Sequence, residues 1–436
     1  MSSYISYFIN RFFSMDSTCT LNNCRITCNK QGSPVYTKMS FPVHCGLFTE
    51  LETEEFVFHF NLNGEIIRAR LKSRDWVHPH EWLKRTDGND WVYYSTGGYT
   101  GVFEATGEYY LPNLQYPTNN LLGGRPFARK EVNDLVSHWH EMLVKTYKNL
   151  NSRPGEIDRF FQQAISNSPE MLTEKASRLF SIIGNRISVL PPDARHVDYN
   201  LIPLMISRGC LYKCRFCKVK NNIFFTEQPE ENIDTQLMQL KKFYGRNIKN
   251  YNALFLGEHD GLQTSPTLLC RSVEKAYKTF QFAGSYIKET CIFLFGSVTS
   301  LQNYSKSDFQ KLNILPGMTY INIGLESCDQ ETLDRIGKPL KAKEVKEAFQ
   351  LIQDINDRFN GLEISANFIF DENLPENHYT SMLELIRDSQ KHVKPKGAIY
   401  LSPLKFDSPA RKHLFSFNRL KTLSRLPTYL YIIQRL

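Results

Sequence analysis

The chain has 436 residues, of which 41% are hydrophobic and 22% are charged, and its formal net charge is +8. These fractions are typical of a globular protein, and the length suffices for two domains. No apolar run approaches the roughly 18 residues that a membrane-spanning helix needs. The N-terminal residues lack a basic leader and a small-residue cleavage site, and Met15 could be the natural start. These features argue against a membrane span and against secretion.

The ten cysteines are informative because no export signal accompanies them. This combination predicts reduced thiols in a reducing compartment, and therefore a cytoplasmic protein. A loose N-terminal triplet, Cys19, Cys24 and Cys28, could bind a metal, but mobile unpaired thiols are the favoured interpretation. Cys270 and Cys291 are interpreted as small core residues.

The first 125 residues predict two segments. Residues 1–40 are expected to be poorly ordered, and residues 41–125 to form an antiparallel β module. Asn63 and Gly64 stand between two alternating apolar runs, which is a strong hairpin signal. A second strand pairing is predicted around Gly97.

Aromatic residues are frequent in this module and lie near several basic side chains. Such a surface could bind nucleic acid or a planar ligand by stacking. A sheet core with ordinary surface charges is the favoured alternative. The basic residues concerned are Arg68, Arg70, Lys84 and Arg85.

Residues 126–190 show helical periodicity and predict a helical linker region. From residue 191 to residue 404, strands alternate with helices, the pattern of a parallel α/β sheet. Six such units make an open barrel, so the predicted fold class is α/β, a partial (β/α)6 TIM-like barrel preceded by the β module and helices. The predicted strands are 201–206, 251–256, 290–295, 319–323, 363–370 and 398–401.

Three cysteines follow the first predicted barrel strand in a C-x3-C-x2-C array: Cys210, Cys214 and Cys217. A closed zinc or iron-sulfur site takes four protein ligands, so a triplet leaves one position for a ligand that is not protein. The alternative is a zinc knuckle completed by a histidine or a fourth cysteine. No histidine lies between Arg208 and Gln228, which counts against that alternative.

The array, with the aromatic Phe216 just before the third cysteine, resembles the signature of the radical S-adenosylmethionine (SAM) superfamily. The resemblance implies a 4Fe-4S cluster whose fourth iron is chelated by SAM, and it makes Phe216 a candidate cofactor-binding residue. It also implies that the reduced cluster cleaves SAM to methionine and a 5'-deoxyadenosyl radical, which abstracts hydrogen from a substrate. A flavodoxin- or ferredoxin-like electron donor is implied as a partner.

The second barrel strand leads into Gly257, Glu258 and, two residues further, Asp260. A glycine allows close approach of a ligand, and a carboxylate can accept hydrogen bonds from an ammonium. The stretch is similar to the Gly-Gly-Glu motif of the family, which holds the amino group of SAM. Because a single glycine precedes Glu258 here, either Glu258 or Asp260 could make that contact.

The fourth strand ends in a run that resembles the branch containing the elongator catalytic subunit, the methylthiotransferases and oxygen-independent coproporphyrinogen oxidase. The resemblance implies that Glu326 lies near the SAM ribose. Ser297, after the third strand, and Asn367, in the fifth, are further candidates for SAM contact. The Gly337-Lys338 pair is interpreted as a helix C-cap with a cation that complements the helix dipole.

Residues 405–436 carry seven basic residues and one acidic residue. Such a tail could contact RNA or another anionic surface, although packing of its apolar residues on the barrel is the favoured interpretation. Three functions therefore remain: a radical SAM enzyme, an RNA-modifying member of that superfamily, and a non-catalytic zinc or cluster-binding interaction module. The sequence identifies neither the substrate nor a catalytic residue.

Overall fold

The computed structural model describes eleven stretches of the chain and contains two large sheets, one antiparallel and one parallel. Each sheet has a hydrophobic core of its own. The described residues are 17–21, 24–36, 44–76, 78–96, 111–114, 125–152, 155–217, 223–388, 396–404, 411–431 and 435–436.

In the described residues the N-terminal sheet has eight antiparallel strands, each paired with the next along the chain. The hairpin predicted around Asn63 and Gly64 is confirmed, and Gly64 has the positive φ of 72° that its turn requires. Residues 97–110, which belong to the second predicted pairing, lie outside the described residues. The strands are β1 Ser17–Leu21, β2 Cys24–Gln31, β3 Leu47–Glu52, β4 Phe56–Phe60, β5 Ile66–Leu71, β6 Trp82–Arg85, β7 Trp91–Ser95 and β8 Leu111–Leu114.

The expectation that residues 1–40 are poorly ordered is wrong for the described part of that segment, because β1 and β2 are paired strands of the sheet. Cys24, Ile26 and Cys28 alternate along β2 and are all buried. Alternate side chains of a strand face one side of the sheet, so these three residues enter the module core. Cys24 and Cys28 are therefore core thiols rather than mobile ones.

Three helices follow the sheet and cover its core: α1 Lys130–Lys148, α2 Gly155–Ser166 and α3 Pro169–Ile183. Helix α3 joins the two halves of the molecule, because Leu172 packs in the module core while Leu179 and Ile183 pack in the barrel core. Its N-terminus is capped by the Ser168 hydroxyl, and its C-terminus ends at Gly184 with a φ of 90°.

All six predicted barrel strands are present, and the sheet they form is parallel throughout. A seventh strand, which the sequence analysis did not predict, extends the sheet beyond the sixth. The strands are β9 Ile202–Leu204, β12 Ala253–Leu256, β13 Cys291–Gly296, β14 Met318–Glu326, β15 Leu362–Phe370, β16 Ile399–Pro403 and β17 Thr428–Leu430, while the short strands β10 Ser207–Arg208 and β11 Thr226–Glu227 pair separately.

Helices alternate with the barrel strands and bury their apolar faces against the sheet, as the periodicity predicts. A 3-10 helix, Pro192–Val197, precedes β9 and places its aspartate and arginine in the barrel interior. The helices are α4 Glu230–Tyr244, α5 Pro266–Phe280, α6 Val298–Asn303, α7 Lys306–Asn313, α8 Gln330–Ile336, α9 Ala342–Arg358, α10 Glu376–Leu383 and α11 Arg411–Leu423.

The described part of the basic C-terminal segment packs on the barrel. In α11, Phe417 is fully buried while Phe415 is exposed, and β17 then pairs with β16. Beyond β17, the Tyr431 hydroxyl donates to the Leu190 carbonyl at 2.5 Å, and the Leu436 amide donates to the Ile187 carbonyl at 3.3 Å. We call the contact of residues 184–190 with residues 428–431 and 435–436 the seam. It joins the β17 edge of the sheet to the chain that leads into β9.

A buried ion cluster fixes the β module to the barrel. The Asp198 carboxylate lies 3.2 Å from the Arg68 guanidinium and 3.0 Å from the Lys84 ammonium, and all three side chains are buried. One carboxylate thus contacts two buried cations. The interpretation of Arg68 and Lys84 as ordinary surface charges is therefore wrong.

We expect Asp198→Asn to destabilise the protein by about 3 kcal/mol, because it removes the negative charge that both buried cations contact. Asparagine tolerates the left-handed conformation of this residue, whose φ is 52°, so the backbone is not the cause. Thermal unfolding should show a melting temperature lowered by a few degrees. The exposed Glu231→Gln on α4 is the control and should melt with the wild type; an unchanged melting temperature for Asp198→Asn would contradict the role of the cluster.

In the described residues, no helix is long and apolar enough to cross a bilayer.

Candidate active site

The three array cysteines lie in the loop between β10 and β11, beyond the carboxyl end of β9. That end of a parallel barrel is where catalytic residues are found. Cys214 is 6% exposed, and Cys210 and Cys217 are half-buried. Burial raises the pKa of the Cys214 thiol to about 11, and burial also raises that of Cys210. Metal binding requires thiolates, so positive charge at this site would offset the cost of burying them.

Among the described residues, no three histidine, cysteine or acidic side chains are close enough to hold a single metal ion. The three cysteines share one loop. An iron-sulfur cluster fits this donor set, because each thiolate can ligate a different iron.

The cysteine loop is tied to the barrel by its own residues. The Arg215 amide donates to the Ile336 carbonyl at 3.0 Å, which fixes the loop to the end of α8. The Tyr212 hydroxyl lies 2.6 Å from the Thr299 hydroxyl and accepts from the Thr299 amide at 3.1 Å. These bonds position the loop beside the ends of β13 and β14.

One cavity of about 610 Å³ adjoins this loop. Its size is in the range of cofactor and small-molecule sites. The three cysteines line it, as do six of the seven predicted SAM-contact residues: Phe216, Glu258, Asp260, Ser297, Glu326 and Asn367.

The seventh predicted residue, Gly257, lies behind the cavity wall. Its φ is 81°, and a Cβ there would lie 2.9 Å from the Cα of Gly261 and 3.3 Å from the Ser207 hydroxyl. Only glycine fits this conformation and this spacing without strain. Gly257 therefore shapes the turn that presents Glu258 and Asp260.

The two candidate carboxylates of this turn have different environments. Glu258 accepts a hydrogen bond from the Asn185 side chain and lies 3.6 Å from the His259 ring. Asp260 is 1% exposed; its Oδ1 accepts from the Ser297 amide at 3.2 Å, while its Oδ2 has no partner among the described residues. Burial raises the pKa of the Asp260 carboxyl. An unpartnered buried oxygen is costly, so Asp260 is the better candidate for an incoming donor.

The Ser297 hydroxyl has a structural partner. It caps α6 by accepting from the Ser300 amide at 3.0 Å, and the Ser300 hydroxyl in turn accepts from the Ser297 amide at 2.8 Å. The Asn367 amide is likewise engaged in a reciprocal pair with Asn322, at 2.6 and 3.1 Å. Both residues line the cavity, but each has less hydrogen-bonding capacity left for a ligand than Asp260 has.

Glu326 ends β14 in the left-handed region, with a φ of 66°, where the pairing with β15 shifts register. Such a conformation costs roughly 1–3 kcal/mol and is concentrated at functional sites. Its Oε1 lies 3.4 Å from the Lys338 ammonium, and both side chains are buried. Burial raises the pKa of the Glu326 carboxyl. Although burial opposes it, the charges of Glu326 and Cys214 raise the pKa of Lys338.

Lys338 lines the cavity, whereas the sequence analysis interpreted it only as a cation that complements a helix dipole. Gly337 does cap α8 in the left-handed conformation, as predicted. Lys338 then enters the cavity, and its ammonium lies 5.2 Å from the centre of the Tyr212 ring. Its place beside the cysteines depends on tertiary packing, so no local pattern indicated it.

The sequence analysis also did not predict that the seam forms part of the cavity wall. Residues 184–189 and Tyr431 line the cavity opposite the strand ends, together with Arg208 at the end of β10. Only the position of residues 184–189 just before the first barrel strand could have suggested it.

Residues 204–364 match the family model of the radical SAM superfamily. This segment is therefore a radical SAM domain. The match begins in β9 and ends in β15, so the radical SAM match includes the cysteine loop and the ends of β12, β13 and β14. Asn367 and the seam lie outside it.

A curated protein similar to this chain is the bacteriochlorophyllide d C-8(2)-methyltransferase of Chlorobaculum tepidum, which is 26% identical over 172 residues that make up 39% of this chain and 35% of the relative. The chain thus spans about a third of that relative. Among solved structures, a radical SAM methyltransferase from Sphaerobacter thermophilus is 12% identical, with a TM-score of 0.34 and coverage of 52% of this chain and 64% of that chain. The cobalamin-dependent SAM radical enzyme OxsB is 17% identical, with a TM-score of 0.32 and coverage of 43% of this chain and 26% of that chain. Similarity this low says nothing about individual site residues.

Proposed function

We propose that this chain is a radical SAM enzyme in which Cys210, Cys214 and Cys217 hold a 4Fe-4S cluster and the adjoining cavity holds SAM. The proposal rests mainly on the environment of the Asp260 carboxylate. It is buried in the same cavity as the cysteines, and its Oδ2 has no partner among the described residues. The ammonium of SAM would supply the missing donor.

A 4Fe-4S cluster held by Cys210, Cys214 and Cys217 would supply one electron for the cleavage of SAM to methionine and a 5'-deoxyadenosyl radical, which would take a hydrogen atom from the substrate. The residues of the chain orient SAM for this step. Asp260 would accept a hydrogen bond from the ammonium, Glu326 would accept one from a ribose hydroxyl, and Lys338 would offset the charge of the SAM carboxylate. The strand ends and the seam enclose the cavity and limit access of water.

We expect Lys338→Met to lower the rate of SAM cleavage about 10- to 100-fold, because it removes a cation beside Cys214 and leaves Glu326 buried without its partner. Lys338→Arg keeps the charge and should recover part of the loss. The rate of 5'-deoxyadenosine formation at saturating and limiting SAM separates binding from turnover. Equal losses in both variants would show that the charge is not what matters.

The function itself is tested with the wild-type chain. Anaerobically reconstituted protein should be brown, contain iron and sulfide, and form 5'-deoxyadenosine from SAM after reduction by dithionite. A colourless protein that holds one zinc ion and leaves SAM intact would overturn the proposal. If the protein does form 5'-deoxyadenosine, incubation with fractions of cell extract, followed by mass analysis, would search for the substrate.

The cellular location, the reductant and the substrate class of the enzyme are proposals as well. We place the enzyme in the cytoplasm, where ten reduced cysteines would persist. We propose a flavodoxin- or ferredoxin-like protein as the reductant. RNA as the substrate is supported only by the basic residues 405–436, and RNA binding that does not weaken with salt would remove that support.

A further inference from the structure

A fully buried histidine lies behind the cavity wall, outside the groups that the proposed function uses. His378 belongs to α10 and is 0% exposed. Its Nε2 lies 3.0 Å from the Ile369 carbonyl oxygen, and its Nδ1 lies 2.8 Å from the Ser327 hydroxyl. Ser327 is also fully buried and directly follows Glu326. His378 therefore joins the turn after β14 to the end of β15.

The partners of His378 fix the direction of each hydrogen bond. A carbonyl oxygen can only accept, so Nε2 carries the proton and donates to Ile369. Nδ1 is then an acceptor, and the Ser327 hydroxyl donates to it. The Ser327 oxygen in turn accepts from the Asp329 backbone amide at 3.0 Å. Burial lowers the pKa of His378 to about 4, so the neutral ring that this arrangement needs is present at pH 7.

The turn that His378 contacts gives Glu326 its unusual conformation. Left-handed Glu326 folds its carboxylate back over β14, because a Cβ on Gly324 would lie 2.5 Å from the Glu326 Oε1. The Ser327 amide donates to the Leu325 carbonyl at 2.9 Å and closes the turn around Glu326. A residue other than glycine keeps such a conformation only where its surroundings hold it. The Ser327 hydroxyl supplies such a restraint, because it joins the turn to α10.

Helix α10 is fixed to β15 at a second point. The Tyr379 hydroxyl donates to the Asp371 carbonyl at 2.6 Å and accepts from the Asp371 amide at 3.1 Å. Asp371 directly follows β15, so two adjacent residues of α10 bind the backbone at the end of that strand. His378 therefore has a fixed position from which it can restrain Ser327.

We propose that His378 is a positioning residue, which acts through Ser327 to hold Glu326 in the conformation that directs its carboxylate toward a ribose hydroxyl in the cavity. The inference rests on the proposed function, because bound SAM would give Glu326 this partner. Of these three residues, all of which the structure describes, Glu326 lines the cavity, whereas Ser327 and His378 do not. His378 thus affects the ligand only through Glu326.

Two substitutions of His378 separate positioning from stability. His378→Leu removes both hydrogen bonds at similar volume and should weaken SAM binding about tenfold, the scale for loss of a supporting residue. His378→Asn keeps an acceptor in the place of Nδ1, so it should bind SAM like the wild type although it loses the bond to Ile369 and melts at a lower temperature. Isothermal titration of reconstituted, unreduced protein measures the affinity.

The matched control is Asn377→Ala, which changes the exposed neighbour on α10 and should bind SAM and melt like the wild type. Equal losses of SAM affinity in His378→Leu and His378→Asn would overturn the proposal, because the bond to Ser327 would then not be what matters. Unchanged affinity in His378→Leu would overturn it as well.

Ser327→Ala breaks the same bond from the other side and carries the test if His378→Leu does not fold. It should weaken SAM binding as much as His378→Leu does. In a Glu326→Ala background, Ser327→Ala should cause no further loss, because the carboxylate that it positions is gone. An additional loss in that background would show that the pair acts elsewhere and would overturn the proposal.

Hydrogen exchange on the full chain without a cluster separates this inference from the proposed function. The backbone amides of residues 325–329 should exchange roughly tenfold faster in Ser327→Ala than in the wild type, because the turn opens more often. Unchanged exchange there would refute the positioning role. If the wild type neither binds SAM nor forms 5'-deoxyadenosine, the proposed function fails, while the exchange rates still decide whether His378 and Ser327 hold the Glu326 turn.

Discussion

Cys214→Ala is expected to abolish SAM cleavage, with a loss on the order of 10³-fold or more, as for removal of any essential group of a catalytic unit. Cys214 is the most buried of the three cysteines and lies near Lys338, so no exposed side chain can easily replace its sulfur. Two thiolates cannot hold the cluster that three would hold. The iron content after anaerobic reconstitution should fall together with 5'-deoxyadenosine formation.

Cys270→Ala is the matched control, because Cys270 is a half-buried thiol on α5 outside the cavity. It should keep full iron content and full activity. The melting temperature of the unreconstituted proteins should be compared as well, since truncating a buried thiol weakens packing slightly. Retention of a redox-active cluster and of SAM cleavage by Cys214→Ala would refute the assignment of this residue.

Asp260→Asn is expected to weaken SAM binding about 100-fold, the scale of losing one member of a buried charge pair. Asparagine can keep the hydrogen bond that Oδ1 accepts from the Ser297 amide, so the turn should persist. The group lost is the Oδ2 acceptor, which an amide nitrogen cannot replace. Isothermal titration with SAM on reconstituted protein, without reductant, measures the effect directly.

Glu258→Gln is the natural comparison, because Glu258 lies two residues earlier and its carboxylate already accepts from Asn185. We expect at most a severalfold change in SAM affinity for this variant. If Glu258→Gln instead loses SAM while Asp260→Asn binds it normally, then Glu258 is the ammonium acceptor and the role given to Asp260 is wrong.

Stability distinguishes a ligand role for Asp260 from a structural one. Burial raises the pKa of the Asp260 carboxyl in the folded state. The charged carboxylate therefore lowers the free energy of unfolding at any pH above the ordinary carboxyl range, and this destabilisation vanishes below that range. Asp260→Asn should therefore melt at or above the wild-type temperature at pH 7, and the difference should shrink in acid. A marked destabilisation at pH 7 would indicate a structural carboxylate instead.

Local patterns predicted the barrel strands well and singled out the cysteine loop. The six predicted strands are present because each is a short apolar run followed by a turn, which is information carried by neighbouring residues. The spacing of Cys210, Cys214 and Cys217 is equally local. The polar residues at strand ends share a cavity because parallel strands end on the same side of a sheet.

The unpredicted features depend on contacts between distant parts of the sequence. Lys338 resembles an ordinary cation after a helix C-cap, and only the fold places it beside Cys214. Strand β17 is three residues long and has little periodicity to detect. Cys24 and Cys28 alternate with polar residues in a segment that looked unstructured, and their pairing with β3 decided their burial.

The seam has a consequence for biosynthesis. Tyr431 closes the wall of the cavity against Leu190, 241 residues earlier in the chain. During translation the cysteine loop leaves the ribosome long before Tyr431 does, so a nascent barrel has an open flank beside its thiols. If the three cysteines hold the proposed cluster, iron-sulfur delivery would have its freest access in that interval, before Tyr431 adds to the cavity wall.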